Sequence, residues 1–469
     1  METSNQIRTP DILFIIPPYH RRTGSGALFP LGVGAIMSCL EKRKITFDYV
    51  DCTQIIQTLN PEDLSELEQK LQMELGHYEP SLVGIGPCVT PGIKGLEVVV
   101  RCCLKKYGIE KVFAGGPFTS LQTQDWVFYE YLGLKYLIKG EGEIAVCEAV
   151  EAVKNGCCLG DCDSVSFEGR SIVNKVENVD DLPFPKRVQL DKEEFSNRRK
   201  LKEKGRTAHI VASRGCPYHC DYCVSGNLNI PFRRRSPQNI VSEMSMLKEK
   251  YGITDVVFYD DCFFTSVTTV HKEIEAFCKA LDDAEVIMTW QIEIRPDILM
   301  EISDEEIKVL SDHGCRQMNI GIEKTNSEGA SVFGKRFDYN RLKDFLAHVH
   351  KICSIRMTGT FILGGKGETE KTVRQLIDAS VSMNLDDAEY SPLFVYPDTP
   401  IYNEVFNNPK AWLNLILSSN KPWGEIVYET KVLNKSLLID LVEEAYNTFY
   451  EKNNKSDNDR IQDRYHLRG

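Results

Sequence analysis

Short apolar runs ending in glycine or proline, separated by amphipathic stretches of helix length, recur along this chain. That alternation restricts it to a small set of folds. Between residues 11 and 155 the runs are DILFIIPP, ITFDYVD, SLVGIGP, KVFAGGP and YLIKGEGE, with LGVGAIMSCLEKRK as the first helix. Strands joined through helices run parallel, because each helix returns the chain to the starting edge. A doubly wound parallel sheet is therefore expected, and such a sheet binds ligands at the carboxyl ends of its strands. Those ends carry Pro17-Pro18, Gly86-Pro87, Gly115-Gly116-Pro117 and Gly140-Glu141-Gly142-Glu143. Glycine there either closes a tight turn or lets backbone approach a ligand. Four such loops on one edge favour a large, flat or elongated ligand.

A second series starts at Thr207. TAHIVASRG, TDVVFYDD, VIMTWQIEI, QMNIGIE, RMTGTFILGG and AEYSPLFVY read as six strands with helices between. That pattern predicts a partial (β/α)6 barrel, whose chemistry sits at the carboxyl ends of its strands. Between the two series, DSVSFEGRSIVNKV reads as a hairpin turning at Glu168-Gly169, and VDDLPFPKR as a linker. The expected organisation is an α/β chain with a Rossmann-like domain over 1–155, hairpin and linker over 156–205, the barrel over 206–400 and a helical region over 401–469. The charged C-terminal tail is expected to fray.

A net charge of −12 over 469 residues, with no basic face, argues against nucleic acid as the main partner. The clusters Arg198-Arg199-Lys200 and Arg233-Arg234-Arg235 are short. The polar start METSNQIRTP lacks the apolar core of a signal peptide, and the apolar runs are strand-length. A cytoplasmic protein with no membrane partner is the expectation. Most of the 16 cysteines stand singly in apolar patterns (Cys39, Cys278, Cys353), as reduced buried cysteines do. The dense group Cys157, Cys158 and Cys162 reads as a surface turn.

One group differs. SRGCPYHCDYC places Cys216, Cys220 and Cys223 on a loop just past the first barrel strand. Structural zinc takes four ligands, and iron–sulfur clusters are held by cysteine thiolates, normally four. Three thiolates leave one iron of a [4Fe–4S] cluster open to a substrate or cofactor. A zinc site completed by His219 or by a distant residue is the weaker alternative, because His219 sits inside the loop between two candidate ligands.

The CxxxCxxC spacing, with Tyr222 before the third cysteine, resembles the signature of the radical S-adenosylmethionine (SAM) superfamily. The resemblance implies that the open iron chelates SAM, which is cleaved to a 5′-deoxyadenosyl radical that abstracts hydrogen from the substrate. It also implies an external electron donor such as flavodoxin or ferredoxin. Later strand ends match in order. Asp260 and Asp261 in VVFYDDCFF fall where the family contacts the methionine amino end. Arg295 in WQIEIRPD and Glu323 in NIGIEKTNS fall at methionine and ribose positions. Phe361 and Gly364 in FILGGKGE resemble the motif near the adenine.

The N-terminal stretch PPYHRRTGSGALFPLGVGAIMSCLEKRKI, with VGIGPCVT, AGGPFTS and IKGEGE, is similar to the cobalamin-binding domain of cobalamin-dependent radical SAM enzymes. DLPFPKR, RRRSPQNIVSEM and YPDTPIYNE follow the same pattern, so the resemblance covers residues 11 to about 405. It assigns to cobalamin Pro17, Pro18, Gly86, Pro87, Cys88, Val89, Thr90, Gly115, Gly116, Pro117, Thr119, Gly140, Glu141, Gly142 and Glu143, with Cys88, Val89 and Thr90 facing the lower side of the corrin. No D-x-H-x-x-G stretch occurs there, and its histidines, His20 and His77, stand in other settings. Bound cobalamin would therefore lack a histidine lower ligand. Lys366 and Asp398 depart from the family's usual proline and glycine, on the substrate side of the barrel. The function implied is radical functionalisation of an unactivated carbon on a small biosynthetic substrate, with C-methylation foremost. The alternative is a dehydration, rearrangement, ring contraction or cyclisation beside a non-methylating or vestigial cobalamin domain. The sequence names no hydrogen-donating catalytic residue.

Overall fold

The computed structural model describes residues 7–18, 29–57, 64–188, 190, 206–228, 230–325, 333–418 and 428–453. His20, Arg198-Arg199-Lys200 and the charged tail from 454 lie outside them. The chain forms two compact units, one of Met1–Arg199 with Tyr402–Ile426, the other of Lys200–Ile401 with Val427–Gly469. The C-terminal helical stretch is thus divided between them.

In the first unit the elements run β1 (Ile12–Ile16), α1 (Leu31–Lys42), β2 (Phe47–Asp51), α2 (Cys52–Gln57), α3 (Leu64–Leu75), β3 (Leu82–Ile85) and α4 (Ile93–Tyr107). They continue with β4 (Val112–Gly115), β5 (Tyr136–Gly140), α5 (Gly142–Lys154) and β6 (Val173–Asn174). The sheet order is β2-β1-β3-β4-β5-β6, with every adjacent pair parallel. β1 is apolar and buried at all five positions, as a central strand covered on both faces requires. Ile12, Phe14 and Ile16 pack with Val33, Met37 and Leu40 of α1 and Val146 and Val150 of α5. The order reverses between β1 and β3, which makes the carboxyl edge there a topological switch point. The hairpin closes at Phe167 and Arg170 around Glu168-Gly169, and its exit strand adds to the sheet as β6. Between β4 and β5 the chain has no α-helix. It passes through 3-10 turns and a π-helical turn at Val127–Tyr131, a form common at functional sites.

The second unit runs β7 (Thr207–Ile210), β8 (Ser213–Arg214), β9 (Arg233–Arg234), α6 (Pro237–Tyr251), β10 (Asp255–Phe258), α7 (Val270–Asp283) and β11 (Thr289–Ile294). Next come α8 (Pro296–Leu299), α9 (Asp304–Asp312), β12 (Cys315–Glu323), α10 (Tyr339–Ile352), β13 (Arg356–Leu363), α11 (Glu370–Val381) and β14 (Asp387–Pro392). Then follow α12 (Pro400–Val405), α13 (Pro409–Ser418, in the first unit) and α14 (Lys435–Lys452). The six-stranded sheet has the order β14-β13-β12-β11-β10-β7, parallel throughout, an open singly wound (β/α)6 array. Helices start where the sequence caps them: Ser236 before Pro237 for α6, and a Ser303/Glu306 capping box for α9. β11 alternates Thr-Trp-Gln-Ile-Glu-Ile, with Trp290, Ile292 and Ile294 buried. In a parallel strand that alternation leaves one polar face. Along that face Gln317 bonds Asn319 and Thr358, and Asn319 bonds Glu293. Among the described residues no helix is long and apolar enough to cross a membrane.

Candidate active site

The cysteine loop lies between β8 and β9. None of the 16 cysteines is in a disulfide; Cys220 is buried, Cys216 and Cys223 are half-buried, and Cys157 and Cys158 are exposed. Burial pushes the Cys216 thiol up to about 11 and raises that of Cys223, and charge on the other loop cysteines adds to both. The three sulfurs therefore lie within one another's electrostatic reach, and each binds metal by giving up a proton. Among the described residues no three His, Cys, Asp or Glu side chains converge on a point fit for one ion. A cubane cluster does not ask for that, since each thiolate holds a different iron.

Asp260 and Asp261, at the end of β10, grip the two ends of this loop. Asp260 is buried and accepts from Ala212 N at 3.0 Å and from Ser213 Oγ; burial raises its pKa against those bonds. Asp261 accepts from Ser225 Oγ at 2.9 Å. Ser213 and Ser225 bracket the three cysteines, and neither was singled out from sequence.

Arg295, at the end of β11, is 7% exposed. It donates to Cys220 Sγ at 3.8 Å and to Asp297 at 3.0 Å, and its guanidinium lies 3.8 Å from the Tyr218 ring centroid. A fourth thiol, Cys262, donates to Phe264 O at 2.8 Å, and burial first, then the Cys216 charge, pushes it up to about 12. Tyr222 Oη donates to Glu323 Oε1 at 3.0 Å; burial and then the Glu323 charge raise its pKa. Lys324, missed in the sequence because it follows a stronger motif residue, is buried. It donates to Ile362 O at 2.7 Å, Gly364 O at 3.0 Å and Glu368 at 2.6 Å. It thereby fixes the loop after β13, where Gly364 has φ 86. Phe361 does not line that loop with its ring. It stacks on Tyr390 (centroids 5.3 Å apart), itself against Tyr446 and Phe449 of α14, on the helix-covered face.

In the first unit the glycines of the carboxyl edge have an internal reason. A Cβ on Gly86 would meet Gly115 O at 2.7 Å, and one on Gly116 (φ 125) would meet Cys88 N at 2.5 Å. These loops pack backbone against backbone. Cys88 points inward, donating to Ile85 O at 3.6 Å, and burial pushes its thiol up to about 12. Thr119 Oγ1 donates to Gly116 O at 2.8 Å, and Glu141 accepts from Val176 N at 2.6 Å, tying down the segment past β6. Pro17, Pro18, Thr90 and Glu143 are buried, while Gly86, Pro87, Val89, Gly115, Gly116, Gly140 and Gly142 are half-buried and Pro117 is exposed. Buried polar atoms without a hydrogen-bond partner among the described residues include Thr53 Oγ1 just past β2, and Gln124 Oε1, Trp126 Nε1 and Tyr129 Oη past β4. Such orphans are rare in a folded chain and call for a partner.

Residues 210–379 match the Radical SAM superfamily. The chain is 24% identical over 457 residues to an uncharacterized methyltransferase of Pyrococcus horikoshii, covering 94% of this chain and 92% of that one. It is 22% identical to the anaerobic magnesium-protoporphyrin IX monomethyl ester cyclase of Cereibacter sphaeroides (94% of this chain, 70% of the relative). Among solved structures it resembles the radical SAM methyltransferase TsrM from Kitasatospora setae with cobalamin and a [4Fe–4S] cluster bound. The TM-score is 0.69 at 17% identity, over 93% of this chain and 91% of that one. It also resembles the cobalamin-dependent SAM radical enzyme OxsB, with a TM-score of 0.65 at 15% identity, over 95% and 67%. Residues 210–379 of the second unit form a radical SAM domain, the class of fold that works with a [4Fe–4S] cluster and SAM. The chain as a whole has the fold of the cobalamin-dependent radical SAM enzymes.

Proposed function

We propose that this protein is a cobalamin-dependent radical SAM methyltransferase acting on an unactivated carbon of a small biosynthetic substrate. The observation that carries the reading is the extent of the likeness to the Pyrococcus horikoshii methyltransferase. It spans 94% of this chain and 92% of that one, so it takes in both units rather than the barrel alone. The cluster and SAM supply a radical that removes a substrate hydrogen, and cobalamin supplies the methyl group. The chain's own residues hold, orient and shield. Cys216, Cys220 and Cys223 hold the cluster, with Asp260 and Asp261 keeping both ends of their loop in place. Arg295 stands against the Cys220 sulfur as a fixed positive charge. Glu323 and the Gly364 loop, braced by Lys324, shape the SAM pocket. For cobalamin, the switch-point edge and the orphaned Thr53, Gln124, Trp126 and Tyr129 atoms suit a ligand rich in amide donors and acceptors.

A second reading has its own support. The cyclase relative also matches over 94% of this chain, which favours a radical cyclisation without methyl transfer. Anaerobically reconstituted protein given hydroxocobalamin and labelled SAM separates the two. S-adenosylhomocysteine and 5′-deoxyadenosine formed together with a labelled product support methylation. Cobalamin uptake with 5′-deoxyadenosine and no S-adenosylhomocysteine supports the second reading. No cobalamin uptake by cluster-loaded protein overturns the methyltransferase reading and leaves the second in its place.

A further inference from the structure

Glu323 ends β12 in the left-handed region (φ 62), at a point where the pairing with β13 skips a residue. A side chain held there costs about 1 kcal/mol or more, so its surroundings must impose it. Two donors do so on one oxygen. Glu323 Oε1 accepts from Tyr222 Oη at 3.0 Å and from Lys335 Nζ at 2.8 Å. Lys335 Nζ also donates to Gly321 O, and a Cβ on Gly321 would overlap that ammonium. The Lys335 and Glu323 side chains are 6% and 9% exposed. A buried ion pair is weak evidence for stability, because apolar residues of the same volume serve as well. This one asks for another reason, and Glu323 Oε2 takes no hydrogen bond among the described residues.

Lys335 closes a tripeptide laid along the cysteine loop. The Phe333 ring lies 4.8 Å from that of Tyr222, and Gly334 O accepts from Arg295 at 3.3 Å. Gly334 (φ 71) passes so close that a Cβ on it would stand 3.2 Å from Cys220 Cα. Three consecutive residues thus touch Cys220, Tyr222, Arg295 and Glu323.

We propose that Lys335 is a positioning residue for SAM. It anchors Glu323 through Oε1 so that Oε2 is turned out to accept hydroxyl hydrogens of SAM, and through Tyr222 it holds that acceptor in register with the cysteine loop. This rests on the reading of Cys216, Cys220 and Cys223 as the cluster loop. The test compares wild type, Lys335→Met, Glu323→Gln and the double variant, all reconstituted anaerobically. Iron content, SAM affinity by equilibrium dialysis and the SAM-induced change in the reduced cluster's paramagnetic spectrum are read for each. The expected result is unchanged iron in Lys335→Met, SAM binding weakened by about tenfold or more, as loss of a charge-assisted hydrogen bond gives, and a spectral change that needs correspondingly more SAM. The double variant leaves no unpaired buried charge, so it answers the question even where Lys335→Met folds poorly. It should bind SAM no more weakly than Glu323→Gln, because both residues act through one carboxylate. Wild-type affinity in Lys335→Met, or additive losses in the double variant, overturns the proposal. A wild type that takes up no iron overturns the cluster reading, and the proposal falls with it.

Discussion

Arg295 shows how much one side chain sets at this site. Its buried guanidinium meets the Cys220 sulfur, an aspartate and an aromatic face together. Hydrogen bonds and positive charge at a ligating sulfur favour the reduced cluster. Arg295→Met should therefore lower the reduction potential by about 40 mV, the one-electron equivalent of about 1 kcal/mol, in a dye-linked titration of reconstituted protein. An unchanged potential would mean that the contact does not persist once the cluster is bound. Replacing Cys216, Cys220 and Cys223 together by alanine should abolish iron and sulfide binding in elemental analysis. Asp260→Ala strands the Ala212 amide and the Ser213 hydroxyl. Chemical denaturation should register a loss of about 1–3 kcal/mol, and cluster loading should fall because the loop entrance is untied.

Among the elements, α14 is the cover of β13 and β14. Phe449 is 0% exposed, Tyr446 packs on Tyr390, and Tyr450 Oη donates to Asp387. Phe449→Ala should cost about 3–5 kcal/mol in chemical denaturation, the usual price of emptying a large aromatic site. Because Phe361 stacks within the same aromatic group, near-ultraviolet circular dichroism of that variant should change as well. The polar faces of β11 and β12 belong to this scale too. A parallel strand covered by helices on both sides has no use for Gln291, Glu293 and Asn319, so these side chains mark the polar face of the sheet.

For the molecule as a whole, the two compact units can be addressed separately. Gly116→Val pushes against Cys88 backbone within the first unit. It should reduce cobalamin uptake while leaving the visible absorbance of the cluster intact. The triple cysteine variant should do the reverse. Cobalamin bound without a histidine beneath cobalt should give the base-off paramagnetic signal, free of nitrogen superhyperfine splitting. Splitting would point to a ligand such as His77.

The sequence by itself determined the two parallel sheets and the cysteine loop. Strand–helix alternation and a CxxxCxxC spacing are both local, and local pattern suffices where neighbours in sequence are neighbours in space. It did not settle what faces what. Phe361 sits in the run TGTFIL, whose mixed character leaves the facing of each side chain to the register of β13 against β14. That register sends its ring toward α14. The strand-end glycines read equally as ligand contacts or tight turns, and the tertiary packing of one loop on another supplied the reason. Asp260 and Ser213 stand 47 residues apart, and Tyr222 and Glu323 stand 101 apart. Only folding brings such groups within hydrogen-bond distance. The clamps on the cysteine loop and the Lys335–Glu323 pair therefore belong to the tertiary structure alone, since a hydrogen bond depends on ångström distances that spacing along the chain does not encode.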